Sequence, residues 1–501
     1  MKLRNKHKII LFLITAFAFS GCGQDFLEQP PEAALTDANF WKTESDLQQG
    51  VVGAYQKLSD LGLFSYWVFG EMRSDNTTFQ YNAPQRGQEN REFVDQFLLN
   101  SANTLLQGFW AESYSGIARC NDVLDRVDDI PMPDDSRKQA TGEVKVLRAF
   151  HYFNLVRQFG GVPLVTAAAQ SPDEANVGVR ASVEEVYQLI ITDLQEAAQQ
   201  LPDSYPSEEK GRVTSGTANA LLGEVFMTRK DFPEALGYLR KVSGYALMSE
   251  YADIFKPTNK NNVESIFEIQ YLGADANLSS NFMYQFAPFN SGTAVTGDVG
   301  TTLSYNAGWN TPTQDLINAY ETGDKRKGAS LAESFVLNGE TYEVPYITKY
   351  NHGFVQPGQT DVNFPLIRYA DVLLEIAECL NEQGYVAGGE AFELLNAVRN
   401  RAGLQPKTAD NADAALRVPD QERFREAIMQ ERQVELAFEN RRWYDLVRTD
   451  RAVEVMNEHG TRENAENPQY PAGTYQVTEN KLLLPIPQRE VNLDGLTQNP
   501  Q

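Results

Sequence analysis

The chain has 501 residues, 42% hydrophobic, 11% aromatic and 22% charged, so it can bury a large core and is not disordered throughout. Its 44 basic and 68 acidic residues give a net charge of −24, a surface that repels phosphate backbones and argues against nucleic acid as a ligand. Three Cys and four His exclude a disulfide framework and most metal clusters.

Residues 1–21 place Lys2, Arg4, Lys6 and Lys8 ahead of an apolar run from Ile9 to Phe19. That run is about eleven residues, short of the roughly 20 that span a bilayer, and reads as a signal peptide. It leads into Ser20, Gly21 and Cys22. Small residues before a cysteine resemble a lipobox, although Phe19 stands where Leu is usual, and Cys22 is the expected lipidation site. Each buried CH₂ of an acyl chain contributes about 0.8 kcal/mol, so two or three chains would hold the protein at a membrane. Asp25 and Glu28 follow closely, and acidic residues there resemble a lipoprotein surface-export signal. Without residues 1–21 the chain keeps 40 basic against 68 acidic residues, a net −28.

Helical periodicity dominates the rest, with apolar residues three and four apart. The pattern predicts helices over 44–60, 104–128, 136–159, 182–201, 214–229, 231–243, 368–383, 388–402 and 420–448. In 104–128, Leu106, Phe109, Trp110, Ser113, Ile117, Cys120 and Leu124 trace one core-facing stripe. Strand-like signals are short, at 265–271 and 482–486. Leu222, Gly223, Phe226, Ala235 and Leu239 fall on tetratricopeptide positions, with Asn219 departing from the bulky first one. A second match uses Leu373, Ile376, Ala377 and Leu380, then Ala391, Leu395 and Val398. Together they predict a stacked helical scaffold. Two interruptions, 61–103 and 272–367, read as loops. The second carries Phe282, Tyr284, Phe286, Phe289, Tyr305 and Trp309, and a loop this long in a compact protein is usually functional.

Catalytic signatures are missing. Gly292 and Gly297 have P-loop spacing, but Asp298 and Val299 stand where a phosphate-binding Lys and a Ser or Thr are needed. There is no HExxH, GxSxG or CxxC, and His151, His352 and His459 are scattered. Cys120 and Cys379 sit on apolar helical faces and read as core. The charged stretch 431–448 (Glu431, Arg432, Glu435, Glu439, Arg441, Arg442, Asp445, Arg448) reads as ion pairs within and between helices. These readings predict a protein that is not an enzyme and holds no metal or cofactor.

A series of blocks then resembles one family. They are 25–31 (DFLEQPP), 40–47 (FWKTESDL), 73–76 (RSDN), 110–125 (WAESYSGIARCNDVLD), 142–165 (GEVKVLRAFHYFNLVRQFGGVPLV) and 211–227 (GRVTSGTANALLGEVFM). They continue with 309–313 (WNTPT), 364–384 (FPLIRYADVLLEIAECLNEQG), 394–404 (LLNAVRNRAGL), 431–448 and 483–501. In this order the chain resembles the SusD/RagB family of Bacteroidetes outer-membrane glycan-binding lipoproteins over essentially the whole mature sequence. The resemblance implies a mainly α fold of four tetratricopeptide-like helix pairs, with irregular loops forming the ligand face. The domain plan that follows is a signal peptide at 1–21 and one SusD-like domain at 22–501, comprising 22–271, a loop-rich insert 272–367, and 368–501. It also implies a lipid-anchored cell-surface protein on the outer membrane that captures oligo- or polysaccharide for a SusC-like TonB-dependent transporter.

Sugars stack their C–H faces on aromatic rings and are oriented by a few polar groups. Trp41, Trp110 and Trp443 lie in helical or framework blocks and read as core, whereas Trp67 and Trp309 lie in or beside the loops. The candidate ligand residues are Trp67, Tyr81 and Asn82 in the first loop and Tyr284, Phe286 and Trp309 in the second. Arg73, Asp75 and Asn76 are expected in a structural hydrogen-bond network. The acidic chain favours a neutral glycan; a captured peptide, as in RagB-like members, and a secreted glycoside hydrolase stay open as alternatives.

Overall fold

The computed structural model describes residues 40–81, 86–169, 178–297 and 306–501. The predicted signal peptide, Cys22 and Asn82 lie outside the described residues. The main scaffold is a stack of helices. They are α1 (Glu44–Leu61), α2 (Thr104–Leu124), α3 (Asp134–Phe159), α4 (Val183–Gln200), α5 (Ser215–Thr228), α6 (Phe232–Leu239), α7 (Tyr369–Gln383), α8 (Glu390–Arg401) and α9 (Gln421–Glu435). Each packs on its neighbour in chain order from α1 to α8, and α9 returns onto α7. Four hairpins result, α1/α2, α3/α4, α5/α6 and α7/α8, as the family resemblance implies; the spacing itself marked α5/α6 and α7/α8.

Local chemistry sets the helix starts. Thr43 caps α1: its hydroxyl accepts the Asp46 N–H at 3.3 Å and the Asp46 carboxylate accepts the Thr43 N–H at 2.8 Å. Ser182 and Glu185 repeat the arrangement at α4. Within α5/α6, a Cβ on Gly223 would lie 2.4 Å from Leu239 Cδ2, so the absent side chain is what lets the two helices approach. The predicted stripe of α2 is buried from Leu106 to Cys120, with Leu124 packed at its edge. Helix α3 is buried on nearly all sides, and its polar residues are pinned accordingly. Arg148 forks onto Asp193 of α4 at 2.8 Å through two nitrogens and donates to Asn121 of α2 at 2.8 Å.

The remainder is irregular, with four two-stranded antiparallel pairings among the described residues: β1 (Thr77–Thr78) with β3 (Thr311–Pro312), β2 (Ser265–Ile269) with β8 (Phe364–Arg368), β4 (Leu331–Ala332) with β7 (Tyr346–Ile347), and β5 (Phe335–Leu337) with β6 (Glu340–Tyr342). The β2/β8 pair brings the end of the insert back onto the scaffold, directly before α7.

Several sequence expectations change. The window 61–103 is a loop only in part: a π-helical turn (Gly62–Tyr66) continues α1, Glu89–Asp95 is a short helix, and Trp67, Val68, Phe69 and Met72 are fully buried. The window 420–448 is not one helix. It breaks after Glu435 and restarts as α10 (Arg442–Arg448), with α11 (Ala452–Glu466) following unannounced. At the break Phe438 and Asn440 have φ of 69° and 62°, and their N–H groups donate to the buried Glu71 carboxylate at 2.9 and 2.8 Å. A distant carboxylate therefore holds a left-handed turn that the local sequence does not call for. Residues 482–486 form no strand; Leu484 N–H instead donates to Gln158 O at 2.7 Å. Helix α6 stops at Leu239, four residues before its predicted end at 243.

Residues 431–448 are built into buried ion pairs. Glu435 faces Arg326 (3.0 Å), Arg368 (2.9 Å) and Arg401 (2.6 Å). Glu439 faces Arg368 and Lys349, both at 2.7 Å, and Glu264, beside β2, faces Arg368 (2.6 Å) and Arg401 (3.0 Å). Arg432 binds Asp371 of α7 and Asp445 of α10 at 2.7 and 2.8 Å. Removing one partner leaves a desolvated charge. Arg368→Leu is therefore expected to lower the unfolding free energy by about 3–5 kcal/mol. Arg240→Ala, which breaks a half-exposed pair with Glu390, should change it by about 1 kcal/mol or less. Urea unfolding of both variants checks this, and equal effects would refute the network's role.

Candidate functional site

The framework motif comes first. Arg73 lies between the rings of Phe97 and Trp443, at 4.9 and 4.5 Å from their centroids, and donates to Lys481 O. Asp75 takes a forked pair from Arg442 at 2.7 and 2.8 Å. Asn76 donates to Glu71 at 2.9 Å and accepts from Gln433 at 3.0 Å. All three side chains are buried, and together they fix the start of β1.

β1 and β3 pair Thr77 with Pro312 and Thr78 with Thr311, and Gln80 N–H extends the ladder to Gly308 O at 2.9 Å. Tyr81 and Trp309 thus leave the ladder at the same end. The Trp309 segment hangs from the short helix Phe282–Phe286: Ala307 N–H donates to Tyr284 O (3.1 Å), Gly308 N–H to Ala287 O (2.8 Å) and Trp309 N–H to Gln285 O (3.0 Å). Gly308 has φ of 65°, and a Cβ there would lie 2.4 Å from Gln80 Oε1, the atom that accepts the Phe289 N–H at 2.7 Å. Only glycine fits that crossing.

At this edge the Arg91 guanidinium lies over the Trp309 indole at 3.7 Å. The Tyr81 ring meets Tyr470 edge-on at 6.2 Å and carries Arg86 at 5.0 Å. Arg86 is oriented by Glu92 (2.6 Å) and Glu89 (3.1 Å). Tyr81, Phe289 and Tyr470 are partly exposed, and Trp309 keeps 9% of its surface. Aromatic faces beside fixed Arg and amide groups suit a ligand with apolar faces and hydroxyl edges.

Of the expected ligand residues, Tyr81 is partly exposed beside the β1/β3 ladder, and Trp309 lies in the same ladder but is buried in the core beneath Arg91. Trp67, Tyr284 and Phe286 are corrections, because all three are core. Trp67 is fully buried and meets Phe286 in a T-shaped contact at 4.9 Å. The Tyr284 hydroxyl accepts the Gly358 N–H at 3.0 Å, and Phe286 stacks with Phe282 at 5.9 Å. They support the Trp309 segment from beneath. Arg86, Arg91 and Tyr470 escaped the sequence reading. Tyr470 alone had a signal, an aromatic residue in the turn-rich stretch Asn467–Gly473.

Beneath the edge, Asp95 Oδ2 accepts from Thr78 Oγ1 (3.1 Å), Phe79 N (3.1 Å) and Tyr475 Oη (2.9 Å). Burial pushes the Asp95 carboxyl up from 3.8 to about 7; the donors from Phe79 and Tyr475 oppose this, Glu463 adds to the rise and His459 lowers it. His151 and His459 are buried. His151 is buried against Gly116, and burial pushes its imidazole down to about 4. His459 binds Asp315 at 2.6 Å. Cys120 and Cys379 are buried, and burial raises both thiols. Among the described residues no three His, Cys, Asp or Glu side chains converge as metal ligands, and no helix is long and apolar enough to cross a membrane.

A stack of helix hairpins carrying an irregular, aromatic-edged face defines the class of fold. Residues 25–227 match the family model described as "Starch-binding associating with outer membrane", and residues 329–501 match the model of the SusD family. A SusD-like protein P38 from Formosa agariphila is 29% identical over 483 residues, covering 91% of this chain and 93% of that one. A SusD-like protein from Bacteroides ovatus is 26% identical, covering 100% and 98%. Among solved structures, a laminarin binding SusD-like protein aligns with a TM-score of 0.74 at 27% identity, over 92% of this chain and 99% of that one. Surface glycan-binding protein A from Bacteroides uniformis aligns with a TM-score of 0.74 at 26% identity, over 91% and 99%. The chain belongs to the SusD family.

A carboxyl raised on folding stabilises the fold in its protonated form. Its contribution is complete below pH 3.8 and is lost as pH rises through about 7. Between pH 5 and 8 the wild-type Tm is expected to fall more steeply than that of Asp95→Asn, measured by circular dichroism. Parallel curves would remove Asp95 from this role.

Proposed function

We propose that this protein is a cell-surface glycan-binding lipoprotein that captures a neutral oligo- or polysaccharide and delivers it to a SusC-like TonB-dependent transporter. The observation that carries the reading is the face beside the β1/β3 ladder, where Tyr81, Phe289 and Tyr470 are partly exposed, Arg86 lies on the Tyr81 ring, and buried Trp309 under Arg91 anchors the backbone. A rigid aromatic edge binds a sugar chain with little loss of side-chain freedom. The glycan named for the laminarin-binding relative and the family description support the ligand class. The strong net negative charge favours a neutral polymer over an anionic one. The reading is of retention without bond cleavage, and it is supported by the charged helical segment, whose acids Glu431, Glu435, Glu439 and Asp445 are, with Asp75, committed to buried ion pairs.

Native affinity electrophoresis of the mature protein against neutral and anionic polysaccharides tests the reading. One neutral glycan is expected to retard the wild type, and Trp309→Ala or Tyr81→Ala to weaken that retardation by about tenfold, the equivalent of about 1.4 kcal/mol. Release of reducing sugar with time would instead make it a hydrolase. Retention of peptides and of no polysaccharide would move it to peptide capture.

The anchor is tested separately. Cys22→Ala is expected to lose the acyl mass and to move from the membrane fraction to the soluble one, and unchanged fractionation would rule out lipidation at Cys22.

A further inference from the structure

A second concavity shares no residue with the Tyr81–Trp309 edge. It lies between the α4–α5 connection and the turns that precede and follow the start of β2. A recess of about 570 Å³ has Tyr205 and Tyr245 among its walls, and a smaller one of about 240 Å³ adjoins it along Val52, Tyr55 and Leu58. The two share Lys210, Gly211, Arg212 and Glu268, so they form one trough crossed by the 210–212 segment. The larger part falls within the roughly 300–1,000 Å³ of ligand sites.

Its walls are fixed. Arg212 meets both Glu143 oxygens at 3.0 Å, the Tyr55 hydroxyl donates to Glu143 at 2.8 Å, and that hydroxyl accepts the Val213 N–H at 3.0 Å. Asn261 and Gln270 exchange paired amide hydrogen bonds at 2.9 Å, and Glu268 accepts from Asn363 at 2.8 Å and from the Asn261 N–H at 3.2 Å. Tyr245 is oriented by Thr214 at 2.9 Å. The Tyr205 hydroxyl is different: it is buried and has no hydrogen-bond partner among the described residues. That hydroxyl is closed off from solvent, so Tyr205 offers the trough its ring and not its oxygen.

The chemistry selects the ligand class. Two tyrosines, planar amides, serine hydroxyls and a buried carboxylate acceptor are the groups that hold sugar rings and hydroxyls. Asp203, Glu208, Glu209 and Glu268 outnumber the lining cations Lys210 and Arg212, which disfavours an anionic chain. We infer that this trough is a second carbohydrate site, taking a short stretch of neutral sugar chain apart from the Tyr81–Trp309 edge. A chain engaged at both sites dissociates more slowly than from either alone, because the second contact is made at high effective concentration. The ligand class rests on the proposed glycan function, whereas the position stands on the trough itself.

Isothermal titration of the detergent-solubilised mature protein with laminarihexaose, cellohexaose and maltohexaose tests it. Ser243→Trp fills the trough from its exposed rim, and Tyr205→Phe removes only the orphan hydroxyl. The expected result is two sites in the wild type, one remaining in Trp309→Ala, and loss of that remainder by at least tenfold when Ser243→Trp is added. Tyr205→Phe in the Trp309→Ala background should leave the remainder unchanged, because that hydroxyl does not face the cavity. Loss of all binding in Trp309→Ala overturns the second site and leaves the edge intact as the glycan site. Binding lost in Ser243→Trp but untouched by Trp309→Ala upholds the trough and overturns the edge. A wild type that binds none of the three sugars overturns both.

Discussion

The structure depends on a buried carboxylate, Glu435. Burial alone would raise its carboxyl, yet Arg401, Arg368 and Arg326 hold it well below the usual range, so the charge is kept inside the protein. Each arginine comes from a different part of the chain: Arg326 from the insert, Arg368 from the end of β8 and Arg401 from the last turn of α8. Glu439 and Glu264 bind the unsatisfied sides of the same guanidiniums. A buried charge is tolerable only when all its partners are in place. The irregular insert and the helix repeats therefore reach their final packing together, since neither can satisfy Glu435 alone.

That constraint passes to the candidate site through one short stretch. Just after Glu435 the chain turns through Phe438 and Asn440, and Glu71 caps both N–H groups while accepting from Asn76. Asn76 and Asp75 are two residues or fewer from β1, and β1 sets the ladder from which Tyr81 and Trp309 emerge. The binding edge is thus bolted to the ionic core through Glu71, Asp75 and Asn76, although its aromatics sit on irregular backbone. A loop built this way combines variable surface chemistry with a fixed position, which is what a site facing many possible sugars needs.

Much of this was legible in the sequence. The long helices announced themselves because each exposes one face and buries another, so periodicity survives over four or more turns, and Gly223 opposite Leu239 marked a close helix contact. Trp67, Val68 and Phe69 were misread because a short segment buried on every side has no polar face to mark its period. The break at 436–441 was invisible for another reason. Its left-handed residues answer to Glu71, more than 300 positions earlier, and not to any local glycine or proline. The site was legible only in part: aromatic richness in the insert marked the segment that pairs with β1, but Tyr284, Phe286 and Trp309 are all buried, and the partly exposed rings are Tyr81, Phe289 and Tyr470.

The charge distribution follows from the same division. Inside the protein Arg326, Arg368, Arg399, Arg432 and Arg441 sit with carboxylates, and buried acids outnumber buried bases, so part of the acid surplus is held in the interior and the rest of the net −24 is displayed outward. An outward negative field repels polyanions and leaves uncharged chains unaffected. Arg86 and Arg91 at the candidate edge do not reverse that field, because Arg86 is held by Glu89 and Glu92, and Arg91 spreads its charge over the Trp309 ring. Selection at such an edge falls to stacking geometry and hydroxyl contacts, with charge acting only to exclude. An arginine placed on an indole face covers that face and seals the buried ring from water, so the contribution of Arg91 is to hold the Trp309 segment in place, whereas the arginines of the core contribute through charge.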